Sequence, residues 1–141
     1  MTTWTIFDRV CGAVDFLRSR QPDGTPERGG VGVIGFSLGA FWALCLKEHV
    51  GAIVIFYGLS DPHSFSADAP VLGHFAEQDE WEPVEAVRAF EAALASAGKQ
   101  IEVHVYPGTR HWFFEKDRPE YDEGAAEAAY VRTTAFLCAR R

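Results

Sequence analysis

The sequence predicts an α/β fold built on about four parallel strands flanked by helices, and three observations carry that expectation. Apolar runs alternate along the chain with segments whose apolar residues recur at helical spacing. The first two runs, 31–35 and 52–57, show no polar alternation, as expected of strands buried on both faces. The segments between runs supply the crossovers that parallel neighbours need.

Ile6, Val10, Val14 and Leu17 are spaced as one face of a helix over residues 5–20, and Thr5 with Asp8 resembles a capping box at its entry. Pro22, Gly24, Pro26, Gly29 and Gly30 make 21–30 a loop. Val31 to Gly35 reads as the first strand, Leu38 to Glu48 as a helix, and Ala52 to Tyr57 as a second strand closed by Gly58. After a polar loop from Leu59 to Pro70, Val71 to Ala76 is the third strand. Pro83 opens a helix carrying Val84, Val87, Phe90 and Leu94, which Gly98 ends. In the fourth strand, Ile101 to Tyr106, apolar Ile101, Val103 and Val105 alternate with Glu102, His104 and Tyr106. That pattern predicts an edge strand with one partly wet face. Ala125 to Leu137 is the last helix.

With 141 residues, 48% of them hydrophobic and 23% charged, the chain is expected to form a single soluble domain over 1–141. The net charge of -7 lacks the basic footprint of a nucleic-acid binder. No stretch approaches 18 apolar residues, and Asp8, Arg9, Asp15, Arg18 and Arg20 stand where a signal peptide would be apolar. The expectation is a cytoplasmic protein with no membrane contact. Cys11, Cys45 and Cys138 are odd in number and far apart, which predicts reduced core residues and neither a disulfide framework nor a metal site.

The chemistry is concentrated at Gly35-Phe36-Ser37-Leu38-Gly39, a G-x-S-x-G elbow between a predicted strand and a predicted helix. Such a turn strains the serine backbone, so small residues two positions to either side, Gly35 and Gly39, should be required by space. It also aims the backbone N–H of Leu38 at a developing oxyanion. A serine needs a base, and the base needs a group that holds its tautomer. His111 follows the fourth strand and Asp79 the third, so with Ser37 they fall at one end of the sheet, in the order serine, acid, histidine. Glu77, Glu80 and Glu82 compete with Asp79 for the acid position. Among the other histidines, His49 and His104 read as structural, His63 in the loop from Leu59 to Pro70 could line a pocket, and His74 is left unassigned. Phe36, Tyr57, Trp81 and Trp112 are the candidate pocket lining. Two rival readings use the same residues: a non-catalytic binding or scaffolding domain, and a small α/β module that binds a phosphorylated ligand at the Ser37 turn.

Several segments resemble the dienelactone hydrolase family, and the likeness covers nearly the whole chain. His111-Trp112-Phe113 is similar to that family's His-Gly-Phe segment. Arg118-Pro119-Glu120-Tyr121, followed by Ala125, Ala126 and Ala128, is similar to the entry into its last helix. Pro22 to Ala40 and Phe56-Tyr57-Gly58 also match family segments. The resemblance implies a minimal α/β-hydrolase core that cleaves small esters or lactones without a cofactor or metal, with Ser37, Asp79 and His111 on the triad positions. Two departures bear on the substrate. Ser37 stands where the namesake enzymes use cysteine, and Glu115 stands four residues beyond the histidine, where they hold a substrate carboxylate with arginine. By the same likeness the strands that precede the first helix in family members, with the loop carrying a second oxyanion donor, have no counterpart here. The elbow strand would then lack an outer neighbour, and an apolar strand with a free edge predicts a homo-oligomer joined through the sheet edge or face.

Overall fold

The computed structural model of the chain describes residues 3–19, 30–46, 50–63 and 68–140, with side chains from residue 6 onward. They form α1 (Thr3–Ser19), β1 (Gly32–Phe36), α2 (Leu38–Leu44), β2 (Ala52–Phe56), β3 (Val71–Gln78), α3 (Val84–Ser96), β4 (Ile101–Arg110) and α4 (Glu123–Cys138). The strands are all parallel and lie in the order β1-β2-β3-β4. One register row crosses the whole sheet through Ile34, Val54, Leu72 and Glu102. Because the strands run the same way, their carboxyl ends gather along one rim.

Two apolar clusters sandwich the sheet. On one face Val14 of α1, Ala40, Ala43 and Leu44 of α2, and Val87, Phe90 and Leu94 of α3 pack with Ile53, Ile55, Val71 and Phe75. On the other, Ala129 and Phe136 of α4 pack with Val54, Phe56 and Leu72. The unbroken apolar run of β2 supplies both clusters, so all five of its residues are buried. Each of the larger side chains among them, Ile53, Val54, Ile55 and Phe56, contributes about 1.5–3 kcal/mol on removal from water.

The helix ends follow local chemistry. Pro83 is the N-cap of α3 with the extended ψ of 147°, and Gly98 takes φ +74° just beyond its C-cap, Ala97. Asp122 caps α4 by accepting a hydrogen bond from the Ala125 N–H at 2.8 Å, which starts that helix earlier than its alanine run predicts.

Several expectations need correction. Thr5 lies within α1, which begins at Thr3, so it is not the capping residue. The helix after the elbow ends at Leu44, not Glu48. β3 and β4 run on to Gln78 and Arg110, because pairing between the two strands continues past a register irregularity at Ala76/Gln78. β1 is apolar yet is not buried on both faces. Among the described residues it pairs with β2 alone, and Ile34 is 44% and Phe36 38% exposed. The cysteines are not core residues: Cys11 and Cys45 are partly buried, Cys138 is exposed, and no disulfide joins them. The predicted loop 21–30 and His49 lie outside the described residues, apart from Gly30. No helix among the described residues is long and apolar enough to cross a membrane.

Candidate active site

Each strand delivers one residue to the rim. Ser37 follows β1, Tyr57 follows β2, Asp79 follows β3 and His111 follows β4. The extra residues at the ends of β3 and β4 therefore carry the acid and the histidine directly on the sheet, without intervening loops.

Ser37 adopts φ 50° and ψ -118°, a left-handed conformation that costs a non-glycine residue about 1–3 kcal/mol. Neighbouring elements hold it there. Its N–H donates to the Phe56 carbonyl at 2.9 Å, and its carbonyl accepts from the Ala40 N–H at 2.9 Å. Gly35 is required by space: a Cβ there would lie 2.6 Å from the Gly39 carbonyl carbon and 2.7 Å from Ala40 Cα. Gly39 is not, since a Cβ on it would meet nothing within 4 Å. The second tight position is Gly58, whose Cβ would drive into the Ser37 carbonyl oxygen. Sequence reading took Gly58 only as the end of a strand. The signal for more was a glycine placed just beyond the strand that neighbours the elbow.

The three polar groups form one chain. His111 Nε2 lies 3.1 Å from Ser37 Oγ, and His111 Nδ1 lies 2.7 Å from Asp79 Oδ2. Asp79 is buried, and its other oxygen, Oδ1, accepts the backbone N–H groups of Trp81 at 2.9 Å and Glu82 at 3.2 Å. Burial alone would raise its pKa, but the hydrogen bond from His111 and those two N–H groups outweigh it and hold the carboxyl below the usual carboxylate range. An ionised Asp79 can only accept, so the hydrogen of His111 resides on Nδ1, and Nε2 is left to accept from the Ser37 hydroxyl.

The competing acids are engaged elsewhere. Glu77 accepts from the Gly108 N–H at 2.7 Å, Glu80 is exposed, and Glu82 accepts from the Leu59 N–H at 3.0 Å. Burial, reinforced by the nearby Asp79 charge, raises the Glu82 pKa. Sequence reading missed the turn in which Asp79 receives the N–H groups two and three residues on, although an Asp ahead of a proline-led helix is its signature. His74 is fully buried between Tyr106 Oη at 2.8 Å and Thr133 Oγ1 at 3.0 Å, so it does not line a pocket. His104 pairs with Glu102 on β4, and His63 is exposed.

Aromatic rings enclose His111. The Tyr57 ring lies 4.7 Å from it and the Trp81 ring 4.7 Å, while Trp112 lies 5.0 Å from it in an edge-on contact. Trp81 and Trp112 line a pocket beside His111 together with Gln78, Glu80, Arg110 and Glu120. Tyr57 is fully buried behind the histidine and donates its hydroxyl to Glu115 Oε1 at 2.9 Å; burial first, then Glu115, pushes its pKa up. Phe36 lies on the α4 face of the sheet, 4.7 Å from Phe56 and 5.7 Å from Phe114. Leu38 opens α2, so its N–H is one of the first-turn donors that no helical carbonyl takes.

A parallel sheet with a strained serine at a strand-to-helix turn has the architecture of α/β hydrolases, and solved structures share it. A Klebsiella pneumoniae protein described as a "Putative Dienelactone Hydrolase" superposes with a TM-score of 0.76 at 23% identity, covering 94% of this chain and 61% of its own. Thermogutta terrifontis esterase 2, in a form phosphoramylated by tabun, gives a TM-score of 0.76 at 18% identity over 94% of this chain and 63% of its own. Residues 3–140 match the model of the dienelactone hydrolase family, and the chain belongs to that family. Among curated relatives, a Saccharolobus solfataricus protein named "Putative carboxymethylenebutenolidase" is 32% identical over 111 residues. That match spans 74% of this chain but only 42% of the relative.

Proposed function

We propose that this chain is a serine hydrolase of small carboxylic esters or lactones, working as one domain through an acyl-enzyme. The observation that carries the reading is the continuous chain from Ser37 Oγ through His111 to Asp79, at 3.1 and 2.7 Å. In this scheme the Ser37 hydroxyl proton passes to His111 Nε2 as Oγ bonds to the ester carbonyl carbon. Asp79 holds the imidazole in place and stabilises the charge it gains. The Leu38 N–H donates to the carbonyl oxygen as it becomes an oxyanion. When the intermediate collapses, the C–O bond to the alcohol breaks and His111 returns its proton to the departing oxygen. Water then repeats the sequence: His111 takes one proton, the hydroxide adds to the acyl carbon, and the carboxylic acid leaves as Ser37 recovers its hydrogen.

Family membership supports ester or lactone hydrolysis, and the organophosphorus adduct of Thermogutta terrifontis esterase 2 fits a related fold with a reactive nucleophile. Trp81 and Trp112 are assigned to the substrate side of His111. Tyr57 and Phe36 support the histidine and the elbow. We further propose a cytoplasmic homodimer joined through β1, whose outer edge is unpaired among the described residues.

The direct test is a fluorophosphonate followed by mass spectrometry. Labelling is expected at Ser37 and should be largely lost in His111→Ala. Turnover of nitrophenyl esters is expected in the wild type and absent in Ser37→Ala. Labelling at another serine, or equal labelling of His111→Ala, would remove the basis for the reading.

A further inference from the structure

We propose that the pocket beside His111 is a subsite for a cationic group of the alkylammonium type, so that the esters suited to this site carry a positive charge on the part lodged there. The proposal names the substrate class for the hydrolase reading and rests on it, but the binding it asserts is measurable without turnover.

The pocket has a volume of about 70 Å³ and is lined by Trp81, Trp112 and His111 together with Gln78, Glu80, Arg110 and Glu120. That is several times the ~10–15 Å³ that one water requires, and is on the scale of a small ammonium head. The two indoles lie 5.0 Å apart at 58°, and Trp81 is 59% exposed. An indole face attracts cations through its quadrupole. One face of Trp112 already holds a cation of this chain, the Arg118 guanidinium, whose carbon lies 4.2 Å from the ring centroid, which leaves the exposed Trp81 ring as the indole that a ligand meets.

Charge points the same way. Two carboxylates, Glu80 and Glu120, and one guanidinium, Arg110, are among the residues that line the pocket. Glu120 Oε2 is buried with no hydrogen-bond partner. A buried acceptor left unmatched is costly, and a positive charge held in the pocket that Glu120 lines offsets part of that cost through space. Arg110 and the carboxylates are not joined in an ion pair among the described residues, so Arg110 opposes a cation without neutralising its partners. An anion would meet the reverse arrangement. A neutral alkyl group would gain the indole contact and nothing from Glu120.

The test uses three probes of one shape: choline, its neutral isostere 3,3-dimethylbutan-1-ol, and anionic 3,3-dimethylbutanoate. Binding to Ser37→Ala is followed by indole N–H and His111 ring shifts in NMR titrations. Choline is expected to bind about 2- to 30-fold tighter than the neutral alcohol, the range set by a cation on an indole, and the anion most weakly. Glu120→Gln should weaken choline severalfold and leave the alcohol unchanged, whereas Arg110→Gln should tighten choline. In the active protein the kcat/KM ratio of choline acetate over 3,3-dimethylbutyl acetate should follow the same order. Choline binding that is undetectable, or no tighter than that of the alcohol, overturns the subsite. So does indifference to Glu120→Gln. If choline binds as expected but neither acetate is hydrolysed, the subsite stands and the hydrolase reading fails.

Discussion

Gly58 lies directly against the carbonyl of Ser37, so close that a Cβ at 58 would drive into that oxygen and come within 2.8 Å of Ala40 Cβ. The end of β2 is therefore the surface on which the serine turn rests. Gly58→Ala should displace the elbow and cost about 1–3 kcal/mol by overpacking, and Gly35→Ala should do the same. Gly39→Ala should stay within about 0.5 kcal/mol of the wild type, because its Cβ would meet open space. Urea denaturation of the three variants checks the contrast; equal losses at 39 and 58 would contradict it.

Asp79 is the carboxylate that reaches His111 Nδ1, and an amide there would offer a donor in place of an acceptor. Asp79→Asn should keep the fold and lower kcat about 10⁴-fold, the effect expected when the orienting acid favours the wrong tautomer. Glu82→Gln should cost far less, since Glu82 bonds Leu59 N and does not bond the histidine. Ester turnover with circular dichroism as the fold control measures both. Near-normal turnover of Asp79→Asn would show that another acid holds His111.

His74 should make stability depend on pH. Burial first, then the electrostatic influence of His104 and Arg132, lowers its pKa to about 3. Tyr106, Thr133 and the Phe56 ring also face it, and Glu102 pairs with His104 behind it. The unfolded chain takes up this proton near pH 6.5 and the folded chain only near 3, so between those values the unfolded state binds more protons. Stability from this group is complete above about pH 6.5 and is lost as pH falls toward 3. Between pH 7.5 and 5 the expected loss is about 2 kcal/mol, at ~1.4 kcal/mol per unit below 6.5. Urea denaturation at both pH values should show the loss in the wild type and a flatter response in His74→Gln. Parallel pH slopes would contradict the assignment.

β1 leaves one edge unpaired among the described residues, with Ile34 and Phe36 partly exposed beside it. Sedimentation equilibrium at micromolar concentration should give about twice the 15.6 kDa chain mass. Ile34→Lys should return the monomer, since a charge on an edge strand opposes pairing. A wild-type monomer would sink the proposed assembly.

The order of strands and helices, the elbow and the succession serine, acid, histidine were legible in the sequence, because apolar periodicity, turn residues and motif spacing act over a few residues. The α/β class followed from the same local signals. Asp79 was the carboxylate the sequence favoured for His111, but local pattern left its rivals one to three residues away open, since Asp79 lies 32 residues from the histidine. Tertiary pairing decided that choice: β3 and β4 extend each other to Gln78 and Arg110 and so present the next residue of each strand to the other. Gly58 and Gly39 exchanged importance for a similar reason, as the space around a glycine is set by chain brought in from elsewhere. Tyr57 was read as pocket lining because aromatic character is visible in the sequence, but its burial against His111 and Glu115 rests on contacts 54 and 58 residues distant. The exposure of β1 was decided in the same way, since an apolar run specifies a wish to be covered and only the arrangement of the remaining elements specifies what covers it.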